Sequence, residues 1–194
     1  MLPSSVHKTF VFSKNSFLNT SLVDEGTGVP EYEIQSSITV RSTKTGVVRN
    51  STNVVTITRR QWPRSNTISF EGCPEKKLKS WLKNNSFCTP QSISDPTPTR
   101  YIWRNDAQLG ELTLSYEDIP SDTSPLAVFR YSVYSRRSPT LQLAHEAEYL
   151  QDLVIASLLV VGHAMRIETE HEASRSAADA VRMQPGAPGG FGQV

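Results

Sequence analysis

Leu150-Gln151-Asp152-Leu153-Val154-Ile155-Ala156-Ser157-Leu158-Leu159-Val160-Val161-Gly162-His163-Ala164-Met165 is the stretch whose reading decides the fold. Wound at about 3.6 residues per turn, its apolar side chains fall on nearly every face and form no single stripe. A helix apolar all round must be enclosed, by lipid or by protein. A bilayer span needs about 20 predominantly apolar residues. Here Asp152 and His163 interrupt the run, Arg166 and Glu168 close it, and the uninterrupted apolar core from Leu153 to Val161 is too short to cross. A membrane tail anchor is therefore the weaker reading, and enclosure by the rest of the chain the stronger. The rival is a pair of buried strands, because Val154, Ile155, Val160 and Val161 are β-branched. Gly162 costs a helix about 1 kcal/mol relative to Ala, a cost that fits a close backbone approach.

Outward from that segment, strand patterns fill the first three-quarters of the 194 residues. From Glu31 to Val40 the apolar Tyr32, Ile34, Ile38 and Val40 share one face, and Glu31, Glu33, Gln35, Ser37 and Thr39 take the other. Shorter runs recur at Phe10/Phe12, Val55/Ile57, Ile68/Phe70, Tyr101/Trp103, Leu112/Leu114/Tyr116 and Phe129/Tyr131/Val133. Turn signals at Glu25–Gly28, Lys44–Gly46 and Pro120–Asp122 separate them. Many short, punctuated strands predict a mainly β protein, an antiparallel barrel or sandwich. The Pro-rich stretch Asn84–Thr99 predicts a long surface loop, and the small, polar Gly/Pro composition after Ala173 predicts a disordered tail. The expected organisation is one domain over residues 1–172 and a tail over 173–194.

Composition narrows the function classes. Hydrophobic residues are 37% and charged residues 20%, ordinary for a folded protein, and a formal charge of +1 excludes a globally polybasic chain. Cys73 and Cys88 are too few for a disulfide scaffold or a cysteine-based zinc site, and free thiols are expected. The N-terminal residues lack a basic segment followed by an apolar run, so an intracellular, cytoplasmic location is expected. The sequons at Asn19, Asn50 and Asn84 then read as products of a Ser/Thr/Asn-rich chain.

Several pieces together resemble a known family. They are Tyr32-Glu33-Ile34, the helix-like Leu78-Lys79-Ser80-Trp81-Leu82, the aromatic Arg100-Tyr101-Ile102-Trp103-Arg104, the strand Pro125–Tyr131 and the closing apolar segment. Over roughly residues 7–170 their order is similar to the fungal, basidiomycete-type domain of unknown function in the tubby C-terminal-like superfamily. That superfamily also holds the LURP-one-related proteins and the phospholipid scramblases. The resemblance implies an antiparallel β-barrel enclosing a hydrophobic C-terminal helix, with no established catalytic residues and no cofactor. Tubby proteins bind phosphoinositides, but their basic lipid-binding pattern does not align onto this chain and its residues are not carried over.

Catalytic motifs are absent: there is no Gly-x-Ser-x-Gly, no phosphate-binding Gly-x-x-x-x-Gly-Lys, no His-Glu-x-x-His and no EF-hand loop. His163 and His171 lie two helical turns apart, about 12 Å, too far to share an ion. In a strand, Tyr101 and Trp103 share one face with Arg100 and Arg104 on the other, so a core position explains that run better than nucleic-acid stacking. Ser135-Arg136-Arg137-Ser138-Pro139 offers a phosphorylation target. Charge distribution is more telling than its total: residues 41–104 hold 12 Lys/Arg and 3 Asp/Glu. Arg59, Arg60 and Arg64 form one cluster, and Lys76, Lys77, Lys79 and Lys83 another. These are the candidate contacts for an anionic partner. The leading expectation is a non-catalytic, monomeric binding or scaffold module for a protein partner. The alternative is a peripheral module that binds anionic phospholipid through a basic face, without a transmembrane span.

Overall fold

The computed structural model describes residues 6–89, 98–106, 109–119, 124–131 and 138–165. The tail after 173, Val133, the Pro120–Asp122 turn, His171 and most of the Pro-rich stretch lie outside them. The described chain is mainly antiparallel sheet with a C-terminal helix. Its strands are β1 (Val6–Phe12), β2 (Thr20–Asp24), β3 (Pro30–Ile38), β4 (Ser42–Arg49), β5 (Thr52–Arg60), β6 (Thr67–Phe70) and β7 (Lys76–Lys77). After one helical turn, α1 (Leu78–Trp81), come β8 (Leu82–Lys83), β9 (Ser86–Cys88), β10 (Arg100–Asp106), β11 (Glu111–Tyr116), β12 (Ala127–Arg130) and β13 (Thr140–Ala144). A 3-10 turn, His145–Leu150, leads into α2, residues 151–165.

All 13 strands form one sheet in the order β7-β6-β5-β4-β3-β2-β1-β13-β12-β11-β10-β9-β8. The two edges, β7 and β8, are not hydrogen-bonded to each other, yet they are consecutive in the chain and only α1 separates them. The sheet must therefore curl until its edges come within reach of one helical turn. Trp81 on α1 marks the approach: its ring lies 5.3 Å from Phe70 on β6 and 5.5 Å from Phe87 on β9. Phe87 continues the aromatic row to Tyr101 on β10 at 5.4 Å, a spacing at which rings attract beyond their buried area.

α2 lies inside this curl. Val154, Ile155, Ala156 and Leu158 are 0% exposed. The all-round apolar segment is thus a helix, which excludes the two-strand reading, and protein covers it. Helix His145–Met165 is also long and apolar enough to cross a bilayer by length and composition, but its apolar side chains are packed among the strands. Strands on opposite sides hold it by polar contacts: Trp103 Nε1 on β10 donates to Ser157 Oγ at 2.9 Å, and Tyr32 Oη on β3 donates to Asp152 Oδ1 at 2.7 Å. Burial, then the Asp152 carboxylate, pushes the Tyr32 phenol well above its ordinary range. Arg49 bridges Asp152 (3.7 Å) and Glu31 (2.9 Å), and Glu31 also pairs with Lys8. Asp152, which argued against a membrane span, is therefore the carboxylate that ties the helix to β3 and β4.

Gly162 meets the close approach expected of it. A Cβ there would lie 2.3 Å from Cζ of Phe17, in the β1–β2 loop, which lies across the helix at this point. In an ordinary helix Gly→Ala gains about 1 kcal/mol. Here Gly162→Ala is expected to lose about 1–3 kcal/mol by overpacking, and to turn stabilising in a Phe17→Ala background. Urea unfolding of the four proteins in that cycle checks the sign change.

Antiparallel pairing sorts the turns to two ends. β1, β3, β5, β8 and β10 all run toward one end, here the tip, where their outgoing turns lie. The β2–β3 and β4–β5 turns and the start of the helix lie at the other, the base. Sequons also acquire a backbone reason: Asn19, Asn50 and Asn84 have φ of 51°, 48° and 53°, left-handed positions that Asn tolerates better than other side chains. Two expectations are corrected. Lys44–Gly46 is not a turn but the middle of β4, where all three residues pair with both β3 and β5. Asn84–Thr99 is not all loop, because Asn84-Asn85 form a tight turn into β9, whose Phe87 is 1% exposed and pairs with Tyr101. Cys73 and Cys88 are free thiols.

Candidate functional site

The tip gathers side chains that a core does not explain. On β3 the alternation read from sequence puts Tyr32 and Ile34 inside at 0% and 1% exposure, but Ile38 and Val40, on the same face, are 70% and 88% exposed. The strand has run past the packed core. The expected four-residue apolar face is therefore two core residues followed by two at the rim. In the neighbouring β5–β6 turn Trp62 is 92% exposed, and Gln61 N donates to Arg41 O at 3.1 Å, which ties the two turns together. Leu109, in the β10–β11 turn at this same end, is 64% exposed. Exposed Arg41, Arg64 and Lys14 lie in turns of this end too.

The seven basic residues singled out from sequence divide by strand parity. Arg59 shares the inward face of Val55 and Ile57, and its Nη2 donates to Leu159 O of α2 at 3.1 Å. Burial lowers its pKa. Arg59 is thus an internal strut and not part of the outer surface. Arg60, next along β5, faces outward and is held by Ser65 O (3.2 Å), Thr67 Oγ1 (3.2 Å) and Glu75 (3.4 Å). The Thr67 hydroxyl and then the Arg60 charge hold Glu75 below the usual carboxylate range. Arg64 lies exposed in the turn beside Trp62. Lys76 and Lys77 are on β7, where Lys77 pairs with Thr67 and so sits on the same outward face as Arg60. Lys79 is exposed on α1, and Lys83 ends β8 just before the Asn84-Asn85 turn of the tip. Lys76, opposite the buried Ile68, takes the other face of β7. The fold thus leaves Arg64, Lys77, Lys79 and Lys83 exposed on consecutive elements beside the tip, and takes Arg59 away from them.

Sequence reasoning missed Ile38, Val40, Trp62 and Arg41. A signal existed in the isolated Trp62-Pro63 between Gln61 and Arg64, an aromatic in a polar turn with no strand neighbours to bury it. At the base, His7, His145 and Glu148 place three ligand-type atoms within 4.8 Å of one another, and sequence spacing could not have paired them. The aromatic run behaves as expected: Tyr101 and Trp103 are 1% and 2% exposed, in the core.

Comparisons with known proteins add one finding. No curated protein and no solved structure matches the chain. The model of a family of unknown function, DUF6593, matches residues 15–167, from the β1–β2 loop through the enclosed helix, and the chain belongs to that family.

Proposed function

We propose that this chain is a non-catalytic intracellular module that docks its tip end reversibly on anionic phospholipid. The finer structural reading goes with it: the curled sheet is a barrel of the tubby C-terminal-like type, in the fungal branch that the sequence resembles, without a transmembrane span. The observation that favours lipid over a protein scaffold is the pairing of Ile38, Val40 and Trp62, exposed on linked turns, with the exposed Arg41 and Arg64 in those turns and Lys77, Lys79 and Lys83 on the elements that follow. Trp is the side chain most at home where an apolar phase meets water, and it does not need a shaped partner to bury its ring.

Magnitudes agree with a peripheral role. Each Lys or Arg near an anionic surface contributes about 1 kcal/mol, so four give about 4 kcal/mol, a millimolar association. Partial burial of Trp62, Val40 and Ile38, at about 25 cal/mol per Å² of apolar area, moves this toward micromolar. The test is sedimentation with phosphatidylserine-containing and with neutral vesicles at low and high salt. Wild type is expected to sediment only with anionic vesicles and to release as salt shortens the screening length from about 10 Å at 0.1 M. Trp62→Ala and the Lys76/Lys77/Lys79/Lys83→Glu variant are each expected to weaken binding at least tenfold. Equal binding by all three proteins, or none by any, would remove the lipid reading and leave a protein scaffold.

A further inference from the structure

The base end, opposite the proposed lipid-facing tip, carries three side chains arranged as metal ligands. His7 comes from β1, and His145 and Glu148 from the 3-10 turn that follows β13. Two local irregularities bring them together. Val6 pairs with Ala144 and Lys8 with Leu143, so the register shifts at His7, which is the extra residue of a bulge. A bulge redirects the side chain it carries, and here it turns His7 toward the residue after Ala144. The second irregularity is the 3-10 turn itself. With about three residues per turn, side chains at i and i+3 eclipse, so Glu148 stands directly over His145.

The distances favour an ion over a set of hydrogen bonds. Glu148 Oε2 lies 3.4 Å from His7 Nε2 and 3.5 Å from His145 Nδ1. Both separations exceed the ordinary range of about 2.7–3.2 Å for N–H···O bonds. These two match the edge of a tetrahedron of ligands around a zinc ion, about 3.4 Å for metal–ligand bonds of 2.0–2.1 Å. The three atoms together span up to 4.8 Å, so an exposed side chain must close in by roughly 1 Å to complete the set. The two imidazole rings meet edge to face with centroids 4.8 Å apart, so His7 and His145 are neighbours across the β1–helix junction. The side chains are exposed, at 42% for His7, 70% for His145 and 50% for Glu148, which leaves the fourth position open to water.

We propose that His7, His145 and Glu148 form a binding site for a divalent transition-metal ion of the zinc class. Two imidazole nitrogens and one carboxylate suit zinc, nickel or copper(II), and they do not suit calcium or magnesium, which prefer all-oxygen shells. The site clamps β1 to the start of the enclosed helix. An occupied site therefore stabilises the folded chain by mass action, because the unfolded chain does not hold the three ligands together.

The experiment is calorimetric titration of the metal-stripped, untagged chain with zinc chloride, with magnesium chloride as the control, alongside thermal melts with and without zinc. His7→Ala, His145→Ala and Glu148→Gln are compared with wild type. All three positions are solvent-exposed, so the metal-free variants should melt close to wild type. The expected result is one zinc per chain, a melting temperature raised by zinc in wild type only, an affinity at least tenfold weaker in each variant, and no response to magnesium. Zinc uptake equal in wild type and in a His7→Ala/His145→Ala variant would place binding on other side chains, such as the exposed Cys73, and overturn the proposal. Failure of wild type to bind zinc at millimolar concentration would overturn it as well.

Discussion

Replacing Leu158 with aspartate is expected to cost more than about 4 kcal/mol, a large part of the 5–15 kcal/mol by which an ordinary domain is stable. Leu158 is 0% exposed at the centre of the enclosed helix, with Val154, Ile155 and Leu159 around it on the same element and strands beyond. Two effects add. The packing of the leucine is lost, which alone costs about 2–5 kcal/mol in Leu→Ala changes. A carboxylate must then either stay charged in an apolar site or bind a proton at neutral pH. Arg59 reaches the helix here, but its guanidinium already donates to the Leu159 carbonyl one residue away, so pairing with it would sacrifice that strut. Chemical denaturation of Leu158→Ala and Leu158→Asp separates the two effects. The aspartate variant should be clearly the worse, with no cooperative transition under conditions where wild type is folded. If it melted within a couple of degrees of wild type, the helix would not be enclosed.

That helix was legible because enclosure leaves a composition signal no surface helix has, and the strands with clean alternation, such as those at Val55/Ile57 and Leu112/Leu114, were legible for a similar reason. β2, β4 and β13 were not. β4 reads Ser-Thr-Lys-Thr-Gly-Val-Val-Arg, and only Thr45 and Val47 of it are buried, so its place in the sheet comes from its neighbours' backbone bonds and not from its own pattern. β9 was hidden inside a Pro-rich stretch because its evidence is a single aromatic, Phe87, and an Asn-Asn turn. The tip was misread in a more instructive way. Period-2 alternation tells which residues share a face but not how far along the strand the core extends, so it groups Ile38 and Val40 with Tyr32 and Ile34 without showing that they stand beyond the core. Strand alternation already turns Arg59 and Arg60 apart in the sequence, but it does not say which of the two faces inward: the structure sends Arg59 to the helix and Arg60 to the surface. The base cluster combines residues 138 positions apart in sequence through a bulge and a 3-10 turn. Neither irregularity has a spacing rule from which sequence could predict it.

Trp103→Ala carries the second large expected effect, about 3–5 kcal/mol, because it removes the largest of the fully buried side chains. The indole occupies the space between β10 and α2, and its N–H does more than fill volume. It donates to Ser157 Oγ at 2.9 Å, and that hydroxyl in turn donates to the Val154 carbonyl at 3.0 Å, closing a short polar chain within an apolar core. Packing and polar satisfaction can be apportioned by three variants. Trp103→Phe keeps most of the ring and loses the N–H, which should cost about 0.5–1.5 kcal/mol for the bond plus a smaller cavity penalty. Ser157→Ala alone leaves the buried indole N–H without an acceptor, at about 1–3 kcal/mol. The Trp103→Phe/Ser157→Ala pair removes both partners and should therefore cost less than the sum of the single changes. Urea unfolding of the four proteins measures the coupling directly. A Trp103→Ala loss below about 1 kcal/mol, or strict additivity in the pair, would mean that the ring is not seated against the helix. The aromatic-basic run Arg100–Arg104 would then again be open to stacking on an outside partner. A ring that holds the helix in place cannot also be offered to a nucleobase, so the same measurement decides between the two uses of Trp103.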